Sequence, residues 1–321
     1  MLRALGLGDL LTAVPPLRGL AAAFPHHRRV LATPAALEPL VRLTATVDEV
    51  VDASPLVPLD GSLTGVDVAV NLHGRGPDSH RILLDTAPRR LIAFAHPEVP
   101  QSAAGPPWYA TEHEVLRWCR LLQASGIPAD PTRLDLPAPP VSKECRVATD
   151  LAHSPAATTV IHPGAASVAR RWPPERWAAV ARHETGRGRA VVITGGPEER
   201  QLAAHVGRMA RLPESAVLAG STDVMGLASV VAAAGLVVCG DTGVAHLATA
   251  LGTPSVVLFG PVPPSQWGPP PDRERHIALW AGRLGDPHGT EADPGLLRIT
   301  VDDVCAALAQ AEPITSTMRS T

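Results

Sequence analysis

Residues Leu236 to Pro261 read LVVCGDTGVAHLATALGTPSVVLFGP. An apolar run, Leu236 to Cys239, ends in a glycine and an acid; a helical pattern from Val244 to Leu251 stops at Gly252; a second apolar run, Ser255 to Phe259, ends in Gly260 and Pro261. Strand, helix and strand at this spacing form the repeating unit of a parallel sheet with crossover helices, so this stretch predicts an α/β fold.

The same alternation continues in both directions. Upstream it predicts strands at Thr158 to His162, Arg189 to Thr194 and Ala216 to Ala219, with helices at Pro174 to Thr185, Glu198 to Ala210 and Asp223 to Ala234. The first half reads likewise. Strands are expected near Leu2 to Leu7, Arg29 to Ala32, Glu49 to Asp52, Asp67 to Asn71 and Arg90 to Ala93, and a helix over Glu112 to Ala124. Another helix follows Asp9, with Leu10, Leu11, Val14, Leu17 and Leu20 on one face; Pro15 and Pro16 must lie in a first turn or kink it.

Between the halves, Pro128, Pro131, Pro137, Pro139 and Pro140 favour an extended connector. At 321 residues two domains are expected, 1–140 and 141–299. A helix opening at Thr300 is expected to pack back toward the first domain, with an unstructured tail in the span 300–321.

Composition narrows the function. A formal charge of -3 without a cluster of Lys and Arg argues against nucleic acid. No run of about 18 apolar residues suggests a membrane span, which leaves at most peripheral association, and the start shows no export signal. Cys119, Cys145, Cys239 and Cys305 form no CxxC pair, which points to buried thiols and a cytoplasmic setting rather than zinc or disulfides. Lys143 is the only lysine, so basic charge is almost all arginine.

Ligands of open parallel sheets bind beyond the carboxyl ends of the strands, and four such places carry chemistry. Gly6, Leu7, Gly8 and Asp9 end the first strand, but Leu11 stands where a dinucleotide fingerprint has its third glycine, so a nicotinamide cofactor is not expected. Asp9 is either a helix cap or a general base. His162, Gly164, Ala165, Arg170 and Arg171 form either an ordinary loop or a phosphate contact. Gly195, Gly196, Glu198 and Glu199 open a helix, where acids are often only dipole partners. At Asp241, Thr242, Gly243, Val244 and His246 a helix start offers its amides to a diphosphate, or Asp241 simply caps it. In the first half, His73, Arg75, Arg81, Trp108, Tyr109 and His113 could line an acceptor pocket, the two aromatics equally a packed loop.

Taken together, GLGDLLTAVPPLRGL, IHPGAASVARRWPPERW, VVITGGPEE and GDTGVAHLATALGTPSVVLFGP resemble the heptosyltransferase family, over nearly the whole chain. The resemblance implies the GT-B architecture, two Rossmann-like domains facing across a cleft, the nucleotide held mainly by the second. It also implies that Asp9 is the catalytic carboxylate and that Arg170 stands where the family carries a phosphate-binding lysine. By the same likeness Asp241, Thr242 and Gly243 are the diphosphate motif with His246 after it, and Glu198 or Glu199 meets the ribose. One departure stands out: the stretch from Asn71 to Ser79 matches a family segment that often reads DxQG and ends in a basic residue and serine, but Asn71 replaces its acid, His73 its glutamine and Asp78 its base.

The expected function is an inverting, metal-independent glycosyltransferase, without cofactor, that moves a heptose or related sugar from a nucleotide-sugar donor such as ADP-heptose to a saccharide or small-molecule acceptor. Two other readings are kept: a glycosyltransferase using another nucleotide sugar on a small-molecule natural product or a non-lipopolysaccharide glycan, and a non-catalytic nucleotide-sugar-binding module.

Overall fold

The computed structural model describes residues 1–141 and 158–311. The chain divides into two compact units, Met1–Pro137 and Ala138–Thr321. Lys143, Cys145 and the tail beyond Ala311 fall outside the described residues.

In the first unit, β1 (Val30–Thr33) pairs in parallel with β2 (Glu49–Asp52), and β3 (Val68–Val70) with β4 (Arg90–Ile92). Leu2 joins the two pairs through parallel bridges to Ala32 and Asn71. The strand expected over Leu2 to Leu7 therefore shrinks to one crossing, because the Leu5 amide turns back to the Arg3 carbonyl at 3.0 Å. Around these strands run α1 (Leu7–Thr12), α2 (Val14–Ala23), α3 (Glu38–Leu43), α4 (Asp78–Leu84) and α5 (Glu114–Ala124). The helix expected after Asp9 is thus two helices broken at Ala13, with Pro15 and Pro16 in the first turn of the second, where a missing N–H costs nothing. Leu10, Leu11, Val14, Leu17 and Leu20 are all buried.

The second unit holds one parallel sheet of five strands in the order β6-β5-β7-β8-β9: β5 (Thr158–His162), β6 (Ala190–Ile193), β7 (Leu236–Gly240), β8 (Ser255–Phe259) and β9 (His276–Trp280). Between and after them lie α6 (Pro174–Gly186), α7 (Arg200–Ala210), α8 (Val224–Ala233), α9 (Gly243–Leu251), α10 (Pro264–Trp267) and α11 (Val301–Ala311). Strands β5, β7 and β8 are buried at every residue, which is why they read as unbroken apolar runs. The strand expected over Ala216 to Ala219 is a single bridge from Val217 to Ile193 after a 3-10 turn at Glu214–Ala216.

Helix α11 follows Thr300, where a helix start was expected. Its apolar face, Val304, Ala307, Leu308 and Ala311, joins the core of the second unit with Trp172, Trp177 and Leu258, against α6 and β8. Trp172 seals the approach by donating its indole N–H to the Ile299 carbonyl at 3.1 Å.

Candidate active site

The head of α1 in the first unit centres on Asp9. Gly6, not Asp9, is the N-cap; Asp9 lies in the first turn of the helix, its carboxylate near the Gly6 amide. Its side chain stays 28% exposed, while Arg3 beneath it is fully buried and donates from Nη2 to Asp9 Oδ1 at 3.3 Å. Burial lifts the Asp9 carboxyl above its ordinary value; Arg3 pulls it down and Glu114 pushes it up again. An ionisable carboxyl with one oxygen held and its side chain open to solvent can receive a proton from a bound hydroxyl.

His73 lies within reach of the Arg3 charge. Burial first and Arg3 second depress its imidazole to about 4, and Nδ1 is buried without a hydrogen-bond partner. The turn carrying it is fixed by Asn71, whose side-chain oxygen accepts the His73 amide at 2.8 Å and the Gly74 amide at 3.3 Å. The Asn71 amide nitrogen meets Ser79 Oγ at 2.9 Å and His80 Nδ1 at 2.8 Å. Asparagine therefore does what a carboxylate oxygen could do for the turn and supplies a donor that a carboxylate lacks.

The other acceptor candidates have structural engagements of their own. Arg81 pairs with Asp78 and, at 2.9 Å, with Glu98; Arg75 is exposed. Trp108 packs edge-on against Phe94 and Trp118 under the Arg117 guanidinium, and exposed Tyr109 lies beneath Arg120. His113 caps α5, its Nδ1 accepting the Val115 amide at 3.2 Å. His73 shares a charged neighbour, Arg3, with Asp9.

The second unit gathers the donor candidates at the carboxyl ends of β5, β6 and β7. His162 ends β5 with Nδ1 3.0 Å from Thr194 Oγ1 and Nε2 3.6 Å from Glu199 Oε2. Burial holds its imidazole below the ordinary value against the pull of Glu199 and Glu198. Glu199 also accepts the Gly196 amide at 2.8 Å, and a Cβ on Gly164 would collide with its carboxylate, so the glycine after β5 is what lets the acid lie there. Glu198 is exposed beside Gly196. Ala165 is buried, its carbonyl accepting from Arg171 at 2.9 Å.

Asp241 follows β7 at 6% exposure, with Arg170 Nη1 3.1 Å from its backbone carbonyl and 3.7 Å from its carboxylate. Burial raises this carboxyl to about 6 despite Arg170. Thr242, at the N-cap of α9, makes no side-chain cap; its hydroxyl is buried without a hydrogen-bond partner, with the Cys239 thiol as a neighbour. Arg170 Nε is likewise buried and unpartnered. Two unsatisfied donors therefore stand beside a helix start whose amides at Gly243 and Val244 have no carbonyl a turn earlier within the helix. Val244 itself is buried, and the His246 ring meets Trp267 edge-on at 5.9 Å. Gly8, also expected to meet the donor, lies in α1 of the first unit beside Asp9.

Arg3 and Glu114 are functional candidates that the reading of the sequence passed over. The signal was a lone arginine in an apolar run, LRAL, which can be buried only with a carboxylate partner.

Among the described residues no group of three or more His, Cys, Asp or Glu is placed to hold a metal, and no helix is long and apolar enough to cross a membrane.

Known proteins place this architecture. Lipopolysaccharide heptosyltransferase 1 of Pseudomonas aeruginosa is 37% identical over 106 residues, 33% of this chain and 29% of that one. This chain spans less than half the length of the curated relatives it matches. The glycosyltransferase family 9 structure from Veillonella parvula superposes with a TM-score of 0.77 at 19% identity, over 97% of this chain and 95% of that one. The Escherichia coli ADP-heptose lps heptosyltransferase II gives 0.71 at 21% identity, over 96% of each. These likenesses establish the GT-B class of fold. The sequence model described as "Glycosyltransferase family 9 (heptosyltransferase)" matches residues 103–287, more than half of the chain, and the chain belongs to that family.

Proposed function

We propose that this protein is an inverting glycosyltransferase that moves a heptose or a closely related sugar from an ADP-linked donor to an acceptor hydroxyl without a metal ion. The observation that carries the reading is the pair of buried, unsatisfied donors, Arg170 Nε and Thr242 Oγ1, at the start of α9 in a chain of this family. A diphosphate has the acceptor oxygens that both lack, and the helix amides add a fixed positive dipole. Relatives named for ADP-heptose support adenine and heptose as the first donor to try.

In the proposed step the acceptor oxygen attacks the anomeric carbon as its proton passes to the Asp9 carboxylate. The bond from that carbon to the diphosphate oxygen breaks, and its electron pair leaves with the diphosphate. Attack opposite the leaving group inverts the centre. Arg170 and the amides of α9 stabilise the departing charge, the part a divalent ion would otherwise take.

Lipopolysaccharide is not the only acceptor to test. His73 is neutral through the working range and Arg81 is already paired with two carboxylates, which favours an acceptor less anionic than a phosphorylated core. A small-molecule or neutral glycan acceptor is the second reading.

The test begins with thermal shift against ADP, GDP, UDP and their sugars, followed by turnover with the donor that binds. Asp9→Asn should keep nucleotide affinity and lose about 10²–10⁴-fold in turnover, the usual weight of a general base. Turnover within tenfold of the parent would remove Asp9 from the mechanism. Activity that survives EDTA supports the metal-free step, and activity restored only by a divalent ion overturns it.

A further inference from the structure

Arg3 is the most heavily committed side chain in the first unit's site. Its guanidinium is fully buried and donates from Nη2 to Glu114 Oε1 at 3.0 Å, Thr12 Oγ1 at 3.1 Å and Asp9 Oδ1 at 3.3 Å. Nε donates to the Asp9 carbonyl at 2.8 Å, and Nη1 to the Leu72 carbonyl. The Trp118 ring covers it at 4.9 Å. Glu114 is fixed in turn: Trp118 Nε1 donates to Oε1 at 2.8 Å, and Arg117 pairs with Oε2.

The chain of contacts has a direction. Glu114 and Arg3 are 5% and 0% exposed in their side chains, whereas Asp9 at the far end is 28% exposed. A buried ion pair is weak evidence for stability, because desolvation offsets most of the attraction. What such a pair does well is fix one geometry. Arg3 grips Asp9 twice, by its backbone carbonyl and by one carboxylate oxygen, so both the helix start and the side-chain rotamer are set.

We propose that Arg3, anchored by Glu114, is the positioning residue of the transfer: it holds Asp9 by Oδ1 and leaves the rest of the carboxylate to take the acceptor's proton. This rests on Asp9 being the base. Glu114 has a second part in it. A guanidinium given wholly to Asp9 would weaken it as a base; shared between two carboxylates, it orients Asp9 and leaves it basic. The charged groups facing Asp9 are Arg3 and Glu114, with Arg117 behind Glu114 and His73 beside Arg3.

The experiment is a carboxyl-carbon NMR titration of the full chain labelled at aspartate, the Asp9 signal being the one lost in Asp9→Asn. Glu114→Gln keeps an oxygen for Arg3 and Trp118 but removes the charge, so the Asp9 midpoint should fall. Arg3→Met should raise it and cut turnover about 10²-fold; should that variant fail to fold, Glu114→Gln decides alone. Glu112→Gln, which unmakes a neighbouring pair with Arg120, should leave the midpoint in place. The acid limb of kcat in Glu114→Gln should move down with the NMR midpoint, with donor KM unchanged. An unmoved midpoint, or a moved midpoint with an unmoved limb, overturns the inference. Asp9→Asn that stays active overturns the base assignment instead, so the two failures are separate.

Discussion

Asp241 sits at 6% exposure beside Arg170, and burial lifts its carboxyl to about 6 from the 3.8 of an unfolded chain despite that cation. The sign of the consequence follows from proton counting. Between those values the folded protein keeps a proton that the unfolded chain has lost, so stability falls as pH rises through the window and the whole penalty is present above about 6. Below 3.8 both states are protonated and the penalty vanishes. Asp241→Asn should therefore stabilise the unliganded protein by about 1–3 kcal/mol at pH 7, and the gain should disappear near pH 3.5. Urea unfolding at the two pH values measures it, and an equal gain at both would mean that packing, not charge, is responsible. Legibility divides along the same line at this scale. Asp9, Arg170, Asp241 and Thr242 could be marked in the sequence because each follows a strand end, but Arg3 and Glu114 could not. A charged residue read without its partner looks like surface, and their partners lie 6 and 111 residues away.

Elements were legible in proportion to burial. The fully buried β5, β7 and β8 stood out as apolar runs, while β9, half-buried at most of its length, preceded by Arg275 and opening on His276, left no such trace. The proline-rich connector was expected to be extended, and over 128–141 it forms no helix or strand. It is not loose, however. Ala129, Leu134 and Leu136 are buried, Gln123 donates to the Ala129 carbonyl at 2.9 Å, and Arg18 of α2 donates to the Arg133 and Asp135 carbonyls. Gly19 is what admits the strap, since a Cβ there would lie 2.6 Å from the Pro128 carbonyl. Helix propensity alone makes Gly19→Ala stabilising by up to about 1 kcal/mol. The backbone collision should reverse that sign and give a loss of about 1–3 kcal/mol. Equilibrium denaturation checks it; a neutral or stabilised variant would show that the strap yields easily.

At the scale of the molecule, the apolar cluster of Leu2, Ala32, Ala69 and Ile82 belongs to the first unit and the cluster of Ile161, Trp172, Val238 and Leu308 to the second. A ligand that binds only native protein stabilises what it binds, by about 2.7 kcal/mol at a hundred times its Kd. Since all the proposed diphosphate groups lie in the second unit, ADP without a sugar should slow hydrogen exchange there first. Peptides spanning 163–171, 195–200 and 241–246 should gain protection directly, and the core amides of β5, β7 and β8 should slow by up to about 100-fold where exchange needs that unit to open. Arg170→Ala should remove most of this by weakening the nucleotide about 10–100-fold, the cost of charge-assisted contacts to a phosphate. Protection of the α1 head by ADP alone, with 241–246 unchanged, would assign the nucleotide to the wrong unit in the present proposal. Protection at 241–246 that survives Arg170→Ala would leave the helix amides as binders and strip Arg170 of its part.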